Sequence, residues 1–321
     1  MGSGEHMASF LKKCETKFQQ AAEAAEETVN LRHPSDVGEE TSNVRHASGE
    51  AKRKGKGNGL LWLIAILAVA VLCTYLPTGE IVSRVVSGTA TATTEKVLPI
   101  YSVETDKKVV ALSFDAAWGN EDTQQILDTL KKYDVKVTFF MTGGWMEKFP
   151  DDVKKIQEAG HDLGNHSENH KNMSQLSATE IASELQEPHK KIKELTGVEM
   201  DLFRPPYGDY DNEVVNTAKS CGYYTVQWDV DSLDWKDYGV DSIVNTVVNH
   251  KNLQNGSIIL MHNGAKYTAQ ALPAVIEGLQ KKGYELVPIS ELIIRENYHI
   301  DHTGRQIADE EETSTTKKDS E

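Results

Sequence analysis

From Lys108 onward, short runs of β-branched and aromatic residues alternate with charged stretches whose apolar positions recur every three to four residues. The short runs predict strands at VVALSF (109–114), VKVTFFM (135–141), HDLGN (161–165), MDLFR (200–204), YYTVQWD (223–229), SIILMH (257–262) and YELVPI (284–289). The stretches between them predict helices over Asp122–Tyr133, Asp151–Ala159, Ala178–Thr196, Asn212–Ser220, Val240–His250 and Ala269–Lys282. Gly160, Gly197, Gly222 and Gly283 stand where these helices hand over to strands, a place that favours a residue able to turn left-handed. Near-continuous apolar strands separated by helices call for a parallel sheet with covered faces, either open and doubly wound or closed into a barrel. The residues after the first strand, Asp115-Ala116-Ala117-Trp118-Gly119, lack the GxGxxG turn of a dinucleotide-binding open sheet, so a (β/α) barrel of about seven parallel strands is expected.

Upstream of this block the pattern changes twice. Residues 1–58 are charged and polar, with one helix-prone piece, and are expected to be a mostly disordered cytoplasmic segment. LLWLIAILAVAVLCTYL, from Leu60 to Leu76, carries no charge, and Lys52, Arg53, Lys54 and Lys56 lie directly before it. An uncharged stretch at the short end of a bilayer-spanning length, flanked by cations on its amino-terminal side, predicts a single-pass anchor over 59–76. Its amino terminus would lie in the cytoplasm and the globular part outside the cell membrane. Residues 77–106 read as a stalk or linker, 107–295 as the globular domain, and 296–321 as a disordered polar tail. Lys and Arg total 34 against 49 Asp and Glu, a formal charge of −15, which argues against a nucleic-acid partner. Cys14, Cys73 and Cys221 fall in three different segments and form no disulfide framework.

The chemistry-bearing residues collect at one kind of place. Asp115 ends the first predicted strand, His166 and His170 follow the third, Arg204 ends the fourth, Asp229, Asp231 and Asp234 follow the fifth, and His262 ends the sixth. The carboxyl ends of parallel barrel strands share one rim, so residues far apart in sequence would meet there. Two histidines four apart would share one face if a helix begins at His166, and could hold a borderline-soft cation. Such a cation lowers the pKa of bound water from about 16 toward about 7. Asp115 could take the proton, Arg204 would hold that carboxylate ionised, and His262, charged through Asp234, could protonate a leaving group. In FRPPYGDYD, Pro205 and Pro206 stiffen the chain and present the amide of Tyr207 as an oxyanion donor or as a plain turn. Trp118, Trp145, Trp228 and Trp235 offer flat walls for sugar rings or ordinary packing.

Taken in order, SFDAAWG, HSENH, RPPYG, DSLDW and LMHN resemble the motifs of the polysaccharide deacetylases with a NodB homology domain, carbohydrate esterase family four, over roughly residues 105–295. The resemblance implies a distorted barrel with fewer than eight strands and a divalent metal, usually zinc, with cobalt as another possibility. It also implies removal of acetyl groups from N-acetylated amino sugars, here in a cell-wall glycan such as peptidoglycan. By resemblance Asp115 is the catalytic base, His166 and His170 are metal ligands, and Arg204 tethers the base. Tyr207 supplies the oxyanion amide, Asp234 tunes His262, His262 is the acid, Trp235 walls the groove and Leu260 lines the acetyl-methyl pocket. One position departs from the family pattern: a second aspartate normally completes the metal triad where Ala116 stands, which leaves two histidines with water, Asp115 itself, or Glu121 or Asp122 to fill the place. The departure keeps two other readings in view, a catalytically silent glycan-binding protein and an O-acetyl esterase with the same machinery. Oligomeric state is not legible in the sequence.

Overall fold

A computed structural model describes residues 95–309. The segment 1–58, the apolar stretch 59–76 and the first part of the expected stalk lie outside the described residues. Among the described residues no helix is long and apolar enough to cross a membrane.

The chain order is β1 (Ser102–Val103), β2 (Val109–Ala116), α1 (Thr123–Lys132), β3 (Thr138–Met141), α2 (Gly143–Lys148), α3 (Pro150–Glu158), β4 (Asp162–Asn165) and α4 (Ala178–Thr196). It continues with β5 (Leu202–Phe203), α5 (Asn212–Ser220), β6 (Tyr224–Thr225), β7 (Val230–Asp231), α6 (Val240–Val248), β8 (Ile258–Asn263), α7 (Thr268–Lys281), β9 (Glu285–Val287), α8 (Ile289–Leu292), β10 (Tyr298–Ile300) and β11 (Arg305–Ala308). Seven strands run side by side in the order β6-β5-β4-β3-β2-β8-β7, β9 adds to the start of β2, and every pairing in this sheet is parallel.

Alternation along β2 shows how the sheet divides its two faces. Val110, Leu112, Phe114 and Ala116 join the large core that the helices cover. Ala111 on the opposite face packs with Phe140, Leu202, Val226, Ile258 and Ile289 in a smaller inner core. Asp115 shares that inner face, because side chains of successive strand residues point to opposite sides. Its register partners are Phe140 on β3 and His262 on β8.

The barrel is less closed than expected. The run at 223–229 divides into β6 and β7, which form the two ends of the strand order. Between them lies the segment carrying β1: Ile100 pairs with Val226 in parallel and Ser102 with Ser257 in antiparallel fashion. Residues 100–103, expected to belong to a stalk, are therefore built into the wall. The expected disordered tail also needs correction, since 298–308 form a hairpin. β10 pairs antiparallel with β11, β11 pairs parallel with β1, and the side chain of Gln306 is buried where it bonds the backbone of Ile294. The reversal is local chemistry, with Asp301 accepting from the backbone N–H groups of Thr303 and Arg305.

Gly164 on β4 is where the inner face is tightest. A Cβ there would stand 2.5 Å from the ring of Phe140, and that ring in turn lies 4.2 Å beneath the Arg204 guanidinium. Gly164→Ala is expected to lower the unfolding free energy by about 1–3 kcal/mol through overpacking. Urea denaturation measures it, and an unchanged midpoint would show that the ring can move aside.

Candidate active site

Two strand ends bring Asp115 and Arg204 together. Asp115 is 6% exposed, and Arg204, fully buried just past β5, donates from Nη1 to its Oδ1 at 2.7 Å. Nη2 of Arg204 donates to the carbonyl of Gln227 at 3.2 Å, and the guanidinium is covered by the rings of Phe140 and Trp228. Burial pushes the Asp115 carboxyl up, but Arg204 and the nearby imidazoles outweigh it and hold the group below the usual carboxylate range. The carboxylate is ionised at neutral pH.

The two histidines do not ride on a helix. Residues 166–172 form a loop in which Ser167 and His170 both take left-handed backbone conformations, with φ of 66° and 54°. The loop is shaped by side chains that bond backbone: Asn165 Oδ1 accepts from Ser167 N–H at 2.9 Å and Ser167 Oγ accepts from His170 N–H at 3.0 Å. The outcome still satisfies the four-residue spacing, with the rings of His166 and His170 4.9 Å apart between centroids. His166 Nδ1 donates to the carbonyl of Arg204 at 2.7 Å, which leaves the Nε2 lone pair facing Asp115 Oδ2 at 3.6 Å. Burial lowers the pKa of His166 to about 4 and lowers that of His170 as well, so both rings are neutral.

His262 is shifted in the opposite direction. Asp234, fully buried, accepts from His262 Nδ1 at 2.7 Å, from His262 N–H at 2.7 Å and from Thr268 Oγ1 at 2.6 Å. Burial would lower the imidazole pKa, but Asp234 and then Asp115 reverse this and raise it above its ordinary value. The ring of Trp118 stacks on His262 at 5.2 Å and 22°.

These groups open into one cleft of about 440 Å³ lined by Asp115, Ala117, Trp118, His166, His170, Tyr207, Trp228, Asp231, Trp235, Leu260 and His262. The structure thus brings Asp115, His166, His170, Tyr207, Trp235, Leu260 and His262 to one space, with Arg204 and Asp234 directly behind. Tyr207 stands in the short turn Pro206–Gly208 with a left-handed backbone at φ 60°, and its exposed ring meets that of His170 edge-on at 4.5 Å. Trp118, Tyr207 and Trp235 are also among the few large exposed apolar side chains. Trp145 instead belongs to the helix-side core. The stacking of Trp118 on His262 was not readable in sequence; its only trace there was a tryptophan three residues past Asp115.

Ala116 is buried with the helix-side core. Neither acid proposed to replace it reaches the cleft. Asp122 accepts from Gly264 N–H at 2.8 Å, and Glu121 folds its carboxylate over Gly119. Among the described residues no group of three or more His, Cys, Asp or Glu side chains is arranged to hold a metal ion. The donor chemistry nevertheless fits a divalent cation with two protein ligands. A neutral imidazole whose outer nitrogen is committed to a carbonyl and whose inner lone pair faces an ionised carboxylate is the arrangement a metal-ligating histidine takes.

The polysaccharide deacetylase family profile matches residues 102–226. A peptidoglycan-N-acetylglucosamine deacetylase of Bacillus cereus is 38% identical over 198 residues, which cover 60% of this chain and 92% of that protein. YlxY, an uncharacterized protein of Bacillus subtilis, is 38% identical over 195 residues, and the chain spans only 60% of its length. Among solved structures, BA3943 of Bacillus anthracis, a CE4 family pseudoenzyme, matches with a TM-score of 0.58 at 39% identity over 60% of this chain and 68% of that one; a mutant of it has restored enzymatic activity. The motifs, the curled parallel sheet and these likenesses agree, and the chain belongs to the polysaccharide deacetylase family.

Proposed function

We propose that the domain is a hydrolase that removes acetyl groups from N-acetylated amino sugars of peptidoglycan, with a divalent cation, zinc or cobalt in type, held by His166 and His170. The observation that carries the reading is the arrangement around one cleft: a carboxylate bonded by Arg204, the imidazoles of His166 and His170 side by side, and a third imidazole, His262, whose Nδ1 is bonded to the buried carboxylate of Asp234. A divalent ion bound there supplies an activated water and polarises the acetyl carbonyl. Asp115 takes a proton from the attacking water as its oxygen bonds to the carbonyl carbon. The Tyr207 N–H donates to the oxygen that gains charge. His262 gives its proton to the amide nitrogen as the carbon–nitrogen bond breaks, leaving acetate and a free amine. Leu260 lines the acetyl side of the cleft, and Trp235 and Trp118 offer faces to the sugar ring.

We also propose the address: the segment 59–76 anchors the chain in the cell membrane with the domain on the outer side, supported by the cations at 52–56 and by the wall-directed chemistry. Protease added to intact protoplasts is then expected to remove the domain while sparing residues 1–58; full protection of the domain would overturn the orientation.

A second reading is favoured by Ala116 together with the likeness to the pseudoenzyme BA3943: a silent domain that retains the glycan without hydrolysing it. Acetate release from acetylated chitooligomers and muropeptides, with and without added zinc or cobalt, separates the two. The expected result is slow, metal-stimulated release, lost by at least about a hundredfold in Asp115→Ala. Ala116→Asp is expected to raise release by about tenfold or more, equivalent to about 1.4 kcal/mol, with thermal unfolding as a control because the position is buried. Glycan binding with no acetate under any metal would leave the silent reading standing.

The His262–Asp234 pair sets a pH limit. An acid raised above its ordinary pKa is in its working form below that pKa and is lost as pH rises through it, so the rate falls on the alkaline side. Asp234→Asn removes the charge that holds the proton and is expected to move this fall to lower pH, read from kcat/KM profiles. An unmoved alkaline limb would show that His262 is not the acid.

A further inference from the structure

The loop between the two imidazoles is strained and surrounded. Left-handed backbone at a non-glycine residue costs on the order of 1–3 kcal/mol and persists only where neighbours impose it; here it occurs at Ser167 and again at His170. Three sets of contacts, from two helices, press on the residues between. At the start of α2, Gly143 N–H donates to the Ser167 carbonyl at 2.9 Å and Gly144 N–H to the Glu168 carbonyl at 3.1 Å. Lys191 on α4 pairs with Glu168 at 2.5 Å.

The third contact is of another kind. Glu184 stands on α4 and is only 4% exposed. Its two oxygens are spent on the loop. Oε2 accepts from Asn169 N–H at 2.8 Å, Oε1 accepts from Asn169 Nδ2 at 2.8 Å, and Oε1 also pairs with Lys171 Nζ at 2.9 Å. Burying a carboxylate on a helix face is costly unless every lone pair is engaged, and here the engagement falls on the two residues that flank His170. The helix thus clamps the chain on both sides of the second imidazole by one bidentate grip.

We propose that Glu184 and Asn169 are a positioning pair for His170, fixing its left-handed backbone so that its ring meets that of His166 at the distance a shared divalent cation requires. The inference rests on the metal reading above. Neither residue touches the cleft; both act through His170.

Exchanging the functional groups tests it. Cobalt binding to the full chain is measured by its visible absorption and by competition with a chelator, alongside Tm. Glu184→Gln turns an amide toward the Asn169 amide, and Asn169→Asp turns a carboxylate toward Glu184; each is expected to weaken cobalt binding by about 10–100-fold, the usual cost of losing a partner that orients a ligand. When the two changes are combined, the amide introduced on the helix can accept from the loop N–H and donate to the carboxylate introduced on the loop. The double variant is therefore expected to return to within about threefold of the unaltered protein, a coupling that independent sites do not show. Ile181→Val, a buried change on the same helix, serves as the control that lowers Tm without changing the cobalt spectrum. If the unaltered protein binds cobalt and the single variants bind it equally well, or the double variant recovers Tm but not affinity, the positioning role is wrong. If the unaltered protein binds no cobalt, the metal reading itself falls and the inference with it.

Discussion

The buried pair of Arg204 and Asp115 constrains everything around it. A guanidinium fully removed from water is tolerable only when its charge is matched and its faces are covered. The match is the 2.7 Å bond to Asp115, and the cover is Phe140 on one side and Trp228 on the other. That bond ties the end of β2 to the end of β5, which is three places away in the strand order. Only a sheet curled enough to bring those ends face to face can make it. Gly164, which leaves space for the Phe140 ring, is part of the same requirement. The main chain of Arg204 has a second task, because its carbonyl accepts from His166 Nδ1. One residue therefore favours the ionised form of Asp115 by its side chain and fixes the tautomer of His166 by its backbone.

Much of this architecture was written in periodicity. The helices Ala178–Thr196 and Asn212–Ser220 begin and end where their patterns do, because local groups mark the ends: Ser177 and Glu180 form a capping box, Asp211 caps the next helix, and Gly197 turns left-handed. The gathering of Asp115, His166, His170, Arg204 and His262 was legible because parallel strands share a direction, so strand ends in sequence become neighbours in space. What escaped depends on long-range geometry. Residues 166–172 form a loop rather than a helical turn because Asn165 and Ser167 bond the backbone N–H groups of Ser167 and His170, and no period reveals that choice. Residues 100–103, Ile-Tyr-Ser-Val, are too short a run to show what they pair with; their place comes from a gap between β6 and β8 that sequence does not show. The hairpin at 298–308 hid within a polar tail for a similar reason, its pairing partner β1 lying just over two hundred residues before β11.

Three imidazoles in one cleft are shifted in two opposite directions, and the cause is the placement of carboxylates rather than depth alone. His166 and His262 are both largely removed from solvent, and burial lowers the pKa of each. His262 has Asp234 against its Nδ1, and the charge overturns the burial. His166 has only a carbonyl at that nitrogen, and Asp115, whose charge Arg204 already shares, is too distant to compensate. The same residue type is thus pushed toward opposite protonation preferences at the ends of two strands, β4 and β8.

The charge count at the cleft explains why Ala116 matters more than the loss of one ligand atom. Asp115 is negative and Arg204 positive, so together they are nearly neutral as seen from the imidazoles, which carry no charge themselves. A divalent ion placed there keeps most of its charge uncompensated by protein, whereas a second carboxylate would cancel half of it at close range in a site where water screens poorly. The protein has not filled that need from its surroundings: Asp122 is committed to Gly264, and Glu121 covers Gly119. Asp231 is the further acid that lines the cleft, and its Oδ1 already accepts from Leu233 N–H. On the proposed metal reading, affinity for an ion would hang on how well the rings of His166 and His170 are aimed, and so on the rigidity of the loop between them.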